Sequence, residues 1–195
     1  MSPRVSPRHL EARRRGILAA AQRCISRNGV RGTTIRDICR AANLSPGAVY
    51  RYFPSKDDIL VALARSRQRQ IDSFFHHLAT GDAGGGDLFR RLADLVRRLD
   101  SPEALEGLRL DLRLWSEGID ATEVRSPLVE GIESLVRRLE PGLPLALGEH
   151  PGATVRLLVA LLQGVALQKA LDPETDLETV AVAIEKLGPP AGRNP

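Results

Sequence analysis

"TTIRDICRAANLSPGAVYRYFPSKDDIL", Thr33 to Leu60, is the stretch whose reading decides the fold. Thr34 can cap the amide of Asp37 while that carboxylate reaches back, the capping-box pattern of a helix start. Ile35, Ile38, Cys39 and Ala42 then recur at the helical period and give the helix an inner face. "AANL" makes a tight turn, after which Ser45 is a good N-cap and Pro46 occupies the first helical position. The second helix is short, from about Pro46 to Phe53. Ser55, with Asp58 three residues on, starts a longer one.

Three of the chain's seven aromatic residues crowd into "YRYF" here, although aromatics make up only 4% of the sequence. Upstream, a helix from about Pro7 to Asn28 places Ile17, Leu18, Ala21, Cys24 and Ile25 on one face, and Gly29 stops it. Residues 1–6 read as a mobile arm bearing Arg4, which with Arg8 is able to enter a minor groove. Charge divides sharply along the chain. Residues 1–56 hold twelve Lys or Arg against Glu11 and Asp37, a balance of +10, whereas residues 57–195 hold sixteen against twenty-two acids, a balance of −6. An end that meets a polyanion is expected to look like this.

Every later segment also repeats at the helical period, so the fold class is all-α, with about nine helices. The fourth helix runs its inner face through Ile59, Leu60, Leu63, Ile71, Phe74, Phe75 and Leu78 and ends before "TGDAGGGD". Leu88 to Leu99 mark a fifth helix, and "SP" at Ser101 and Pro102 starts a sixth. "LRLDLRLW" alternates like a strand, but Leu105, Leu108, Leu112, Trp115 and Ile119 hold the helical period over a longer window. Leu110 and Leu114 then fall on the opposite face, and the sixth helix is expected to be buried on two sides. A seventh begins near Ser126 and Pro127. The eighth, Ala153 to Leu171, is apolar nearly all round and needs cover that a partner subunit would supply. Gly164 within it suggests a close helix crossing. The ninth runs from Leu177 to Leu187.

Two short helices joined by a tight turn, the second opening with small residues, are what a helix-turn-helix DNA reader requires. Ser45, Pro46, Gly47 and Ala48 form a slim leading edge whose free amides can meet a phosphate. Tyr50 can donate its hydroxyl to the DNA backbone, and Lys56 opens the fourth helix where another phosphate is expected. From about Ile17 to Leu63, through "GVRGTTIRDICRAANLSPGAVYRYFPSKDDIL", the sequence resembles the TetR/AcrR-like transcriptional regulators. The resemblance implies that Thr34, Arg36, Ser45, Pro46, Gly47, Ala48, Tyr50, Tyr52 and Lys56 touch DNA, with Val49 and Phe53 as core. It divides the chain into a DNA-binding domain, residues 1–54, and an effector-binding and dimerisation domain, residues 55–195. Because "SPGA" offers few side-chain hydrogen bonds, direct readout falls to Arg36, Ser45 and Arg51, and DNA shape carries part of the specificity.

The resemblance further implies a homodimer through residues of about 153–187, a palindromic double-stranded operator and a small-molecule effector whose binding shifts the fourth helix. Phe74, Phe75, Phe89, Leu108, Asp111, Leu112 and Trp115 are the candidates for the effector pocket. Asp111 and Trp115, a carboxylate and an indole one turn apart, suit a cationic or aromatic ligand. The plainer reading, Asp111 paired with an arginine and Trp115 as core, is the favoured one. The chain lacks a Gly-rich phosphate loop, a nucleophile elbow, an HExxH motif and a paired Cys/His set, so neither catalysis nor a cofactor is expected. Cys24 and Cys39 read as core thiols, and no two of the four histidines stand at metal-ligand spacing. No run of about 18 uninterrupted apolar residues argues for a membrane span, and the expected location is the cytoplasm. Two other functions remain open: compaction of DNA without sequence preference, and a regulator controlled by a protein partner rather than a small ligand.

Overall fold

The computed structural model of the chain describes residues 7–79, 85–142 and 150–188. Among these, the regular elements are helical: α1 (Pro7–Asn28), α2 (Ile35–Ala42), α3 (Pro46–Tyr50), α4 (Lys56–Ala79), α5 (Gly85–Arg98), α6 (Pro102–Asp120), α7 (Thr122–Leu139), a 3-10 turn (Glu140–Gly142), α8 (Pro151–Leu171) and α9 (Leu177–Leu187). The all-α expectation holds. The arm at residues 1–6, with Arg4, lies outside the described residues.

Local signals set most boundaries. Gly29, at φ 74°, turns the chain out of α1. Thr34 caps α2 by accepting from the Asp37 amide at 3.2 Å, and its own amide donates to the Asp37 carboxylate at 3.0 Å. Asn43 sits in the left-handed region at φ 53° and reverses the chain between α2 and α3, a conformation asparagine tolerates. The Ser55 and Asp58 side chains build a second capping box at the head of α4.

Three boundaries differ from the sequence reading, the simplest being α8, which begins at Pro151 rather than Ala153. Helix α3 ends at Tyr50 rather than Phe53, and the amides of Tyr52 and Phe53 both turn back to the Val49 carbonyl. Pro54 is the reason, because its ring excludes helical backbone at the residue before it. Helix α7 begins at Thr122 and carries Pro127 inside rather than starting at Ser126. A proline this near the start removes one helical bond, the one Glu123 would have accepted. Arg125 compensates at the corner by donating to the Gly118 and Ile119 carbonyls, at 2.8 and 2.5 Å, which α6 leaves open at its end.

The chain forms two compact units, and their border is not at residue 54. The first takes in the chain to Ser66 together with Leu110–Leu128; the second holds Arg67–Arg109 and the residues from Val129 on. The physical cause is burial: Ile59, Leu60 and Leu63 of α4 and Leu110, Leu114 and Val124 of α6 and α7 share one apolar core with Ile17, Ile25, Ile38, Val49 and Phe53. Helix α6 also corrects its expected inner face. Leu110 and Leu114 are fully buried, Leu105, Leu108, Leu112 and Trp115 are half-buried, and Ile119 is 73% exposed. A sequence apolar on both faces does not rank them; the core of the first unit does.

In the second unit α5 packs on α9 through Leu88, Leu92 and Val96 against Leu177, Ala181 and Ile184, with Val155, Val159 and Leu162 of α8 alongside. Arg97 crosses from α5 to α9, meeting both oxygens of Glu178 at 2.8 and 3.0 Å and Glu185 at 2.9 Å. The Arg97 hydrogen bonds hold the Glu178 carboxyl below its ordinary range. By length and composition α8 is apolar enough to cross a membrane, with mean hydropathy 1.4 over 18 residues, which the sequence reading had not anticipated. Its Lys169 is nonetheless buried and fully engaged, donating to the Pro173 and Thr175 carbonyls and to Asp100 at 2.7, 3.0 and 2.7 Å. Among the described residues Gly164 has no heavy atom within 4 Å of where a Cβ would stand, so none of them makes the crossing expected there.

Replacing Lys169 by Met removes three donors from a buried turn and is expected to destabilise the protein by about 1–3 kcal/mol in urea unfolding. A second expectation concerns pH. The hydroxyl of Thr34, then its amide, hold the Asp37 carboxyl below its ordinary value, with Arg40 adding to this. Since the folded value is the lower one, the stabilisation is present above the ordinary carboxylate range and disappears as pH falls through the folded value. Asp37→Asn should therefore melt below wild type at neutral pH, and the two melting curves should converge in acid.

Candidate nucleic-acid interface

The candidate residues of the first unit fall into two groups, those displayed by the fold and those that also hold it together. Arg36, Ser45, Pro46 and Gly47 are exposed, Ala48 is half-buried, and Tyr50 is 49% exposed on α3. Thr34 is exposed, yet its hydroxyl donates to Asp37 at 2.6 Å as well as accepting from it. Ser45 caps α3 by accepting from the Ala48 amide at 3.3 Å. These two hydroxyls fix the starts of α2 and α3 first; what remains of their hydrogen-bonding capacity faces outward.

Behind α3, Val49 and Phe53 are 0% and 1% exposed, in the core as the resemblance implied. Phe53 answers part of the question raised by "YRYF", because it anchors a helix too short to stand alone. Tyr52 is half-buried and packs against the same core, less displayed than Tyr50. Arg14 of α1 closes over this corner, its guanidinium 4.4 Å from the centre of the Phe53 ring and donating to the Tyr52 carbonyl at 3.4 Å. Between the start of α1 and the end of α3 opens a cleft of about 360 Å³ lined by Leu10, Glu11, Arg14, Arg51 and Tyr52. Lys56 is half-buried and its ammonium donates to the Val30 carbonyl at 2.5 Å, so one of its three donors already serves the fold.

Gly47 differs from the other small residues in a telling way. A Cβ built on it meets nothing within 4 Å. The second position of a helix is a poor place for glycine, which loses more backbone freedom there than alanine. Nothing inside the first unit requires the missing side chain.

Sequence reasoning passed over several residues at this face. Arg14 stands within a run of three arginines, and no pattern separates it from Arg13 and Arg15. Thr33, 1% exposed, donates to the Gly29 carbonyl at 2.7 Å, and Arg113 of α6 donates to the Ile25 carbonyl. The partner of Arg113 depends on tertiary structure, whereas that of Thr33 lies four residues back in the same turn. Cys39 is buried and Cys24 half-buried; both thiols are free, and burial pushes both above the ordinary thiol range. Among the described residues no group of three His, Cys, Asp or Glu gathers as a metal site.

The effector candidates are distributed over both units. Phe89 and Leu108 belong to the second, half-buried, and Phe89 lies against Gly188, 3.0 Å from where a Cβ would stand. Asp111, Leu112 and Trp115 belong to the first, with Asp111 5% exposed and the other two half-buried. The side chains of Phe74 and Phe75 lie outside the described residues.

Comparison with known proteins places this geometry. Residues 17–63 match the bacterial regulatory proteins of the tetR family. Over 63 residues the chain is 44% identical to the helix-turn-helix transcriptional repressor Rv1474c of Mycobacterium tuberculosis, covering 32% of this chain and 34% of the repressor. The chain thus aligns with about a third of the length of such curated relatives. The fold is similar throughout to GusR of Salmonella enterica, with a TM-score of 0.74 at 23% identity over 94% of this chain and 95% of that one. It is likewise similar to the multidrug binding protein EbrR, solved in complex with ethidium, with a TM-score of 0.71 at 24% identity over 91% and 99%. With its capped helix pair, the segment at residues 17–63 is a DNA-binding domain of the tetR family of bacterial regulatory proteins, and the described helices share the fold of the solved structures named above.

Proposed function

We propose that the chain is a sequence-specific DNA-binding transcriptional repressor that works as a homodimer on a palindromic operator and is released from it by a small-molecule effector. The observation that carries the DNA-binding part is Gly47: a glycine that the fold does not need, at the exposed start of α3, leaves room for a surface from outside the chain. Duplex DNA suits that surface, since residues 1–56 carry a balance of +10. In this reading Arg36 and Ser45 face base edges, Tyr50 and the amides at the start of α3 meet phosphates, and Tyr52 and Lys56 divide themselves between DNA and the fold.

Dimerisation is supported by α8, of whose apolar window only 28% is buried within the chain. Leu157, Leu171 and, on α9, Leu187 are 68%, 76% and 67% exposed, more apolar surface than two helices leave bare without a partner. A second copy would cover it and bring two α3 helices to successive major grooves, about 34 Å apart. An effector that prefers another spacing then empties the operator by its differential affinity. Asp111, a buried carboxylate one turn from the Trp115 indole, would select an organic cation, the class to which the ethidium bound by EbrR belongs. A repressor of this kind acts in the cytoplasm.

Selection of genomic duplexes at physiological salt, with competition by random DNA, tests the reading; a palindromic consensus supports it, and uniform binding that fades with salt favours compaction instead. Gly47→Ala should raise stability by about 0.5–1 kcal/mol while weakening binding to the selected duplex, because the methyl helps the helix and obstructs the DNA. Arg36→Ala should relax specificity at one base position, at a cost of about 1–3 kcal/mol. Leu157→Glu with Leu171→Glu should yield a monomer in sedimentation. Trp115 is the chain's only tryptophan, so quenching of its fluorescence by quaternary ammonium compounds, lost in Asp111→Asn, would report the effector site directly.

A further inference from the structure

Between α1 and α2 the backbone turns within six residues, Gly29 to Thr34, and α1 leaves carbonyls open at its end. Three of the carbonyls in and before this turn accept from side chains. Thr33 donates to Gly29, Lys56 of α4 donates to Val30 and Arg113 of α6 donates to Ile25. The turn has little slack: a Cβ at Gly32 would come well inside van der Waals contact with the Asn28 carbonyl oxygen. Arg113 reaches the junction from 88 positions further along the chain, and Asp120, the last residue of α6, meets Arg31 of the same turn at 3.4 Å.

We propose that Arg113 is a positioning residue for DNA reading, holding the α1–α2 junction from α6 so that α2 and α3 keep one orientation against α1. The proposal rests on the DNA-binding reading above. Its physical basis is local. The Ile25 carbonyl also accepts from the Gly29 amide at 2.9 Å, so the guanidinium grips the residue on which the turn closes. A permanent positive charge at the negative end of α1 adds to the grip. The grip is rigid because Leu110 and Leu114, which flank Arg113 on α6, are fully buried in the core that also holds Ile25. Asp111 and Trp115 stand two residues to either side of Arg113. A displacement of this part of α6 is therefore passed to the α1–α2 junction by Arg113, beside the exposed Asp120–Arg31 pair and the shared core.

The test compares wild type, Arg113→Ala, Arg113→Gln and Arg113→Lys as full-length proteins, by backbone hydrogen exchange without DNA and by titration with the selected duplex and a scrambled one. Arg113→Ala is expected to lose protection at the amides of Gly29 and Thr33, whose acceptors are Ile25 and Val30. Affinity for the selected duplex should fall about tenfold, the scale of a positioning effect, and affinity for the scrambled duplex should hold. The salt slope should also stay unchanged, because Arg113 neutralises no phosphate. Arg113→Lys, which keeps a charged donor, should recover most of both losses, and Arg113→Gln stands in if the alanine variant does not fold. Unchanged exchange at the junction overturns the proposal. So does an equal fall on both duplexes with a smaller salt slope, which would make Arg113 a phosphate contact. Should wild type discriminate no duplex at all, the DNA-binding reading fails by itself, and the exchange data alone decide whether Arg113 positions the junction.

Discussion

A helix of five residues has no stability of its own, since nucleation costs more than so few hydrogen bonds return. Everything about the first unit follows from having to display α3 in spite of this. Ser45 caps it, the left-handed Asn43 aims it, and Val49 and Phe53 pin it to a core. That core is too large for α1, α2 and α3 to supply, and it borrows Ile59 and Leu60 from α4 and Leu110, Leu114 and Val124 from beyond residue 100. Only then are Gly47 and Tyr50 left to face outward without either being needed for packing.

The second unit solves the opposite problem, an excess of apolar surface. Helix α8 cannot bury all its sides within the chain, and the side it does bury is locked by an unusual device, a lysine inside the apolar helix whose three donors are all taken by a turn and by Asp100. Arg97 does similar service between α5 and α9, outside the core, where solvent screens it and its value is geometric more than energetic. The polar ties fix register and orientation; the leucines and valines around them supply the stability.

What could be read from the sequence was whatever rests on neighbours along the chain. Thr34 with Asp37, Ser45 with Pro46, Ser55 with Asp58 and the Gly29 stop are spacings of a few residues, and they marked the starts of α2, α3 and α4 and the end of α1. The same logic extended α3 to Phe53 only because the restriction imposed by Pro54 was given no weight. Reading "SP" as a helix start worked at Ser101 and misled at Ser126, where Arg125 closes the corner by bonding carbonyls of another helix. For α6, apolar residues on both faces left the choice of deep face to the core it meets. The placing of Arg14 and Arg113 was illegible for the same reason, since a lone arginine carries no mark of the distant carbonyl it will find. Gly164 shows the converse: a plausible packing residue with no partner among the described residues.

The split of the first unit between residues up to Ser66 and Leu110–Leu128 has a consequence for synthesis. As the chain leaves the ribosome, the helix-turn-helix segment emerges first, but the leucines that complete its core follow more than forty residues later. At about 5–20 residues per second, that leaves an interval of seconds in which a strongly basic, incompletely packed segment is exposed among nucleic acids. The first unit is finished only when α6 arrives, so its competence to fold depends on elongation through Arg67–Arg109, which packs in the other unit.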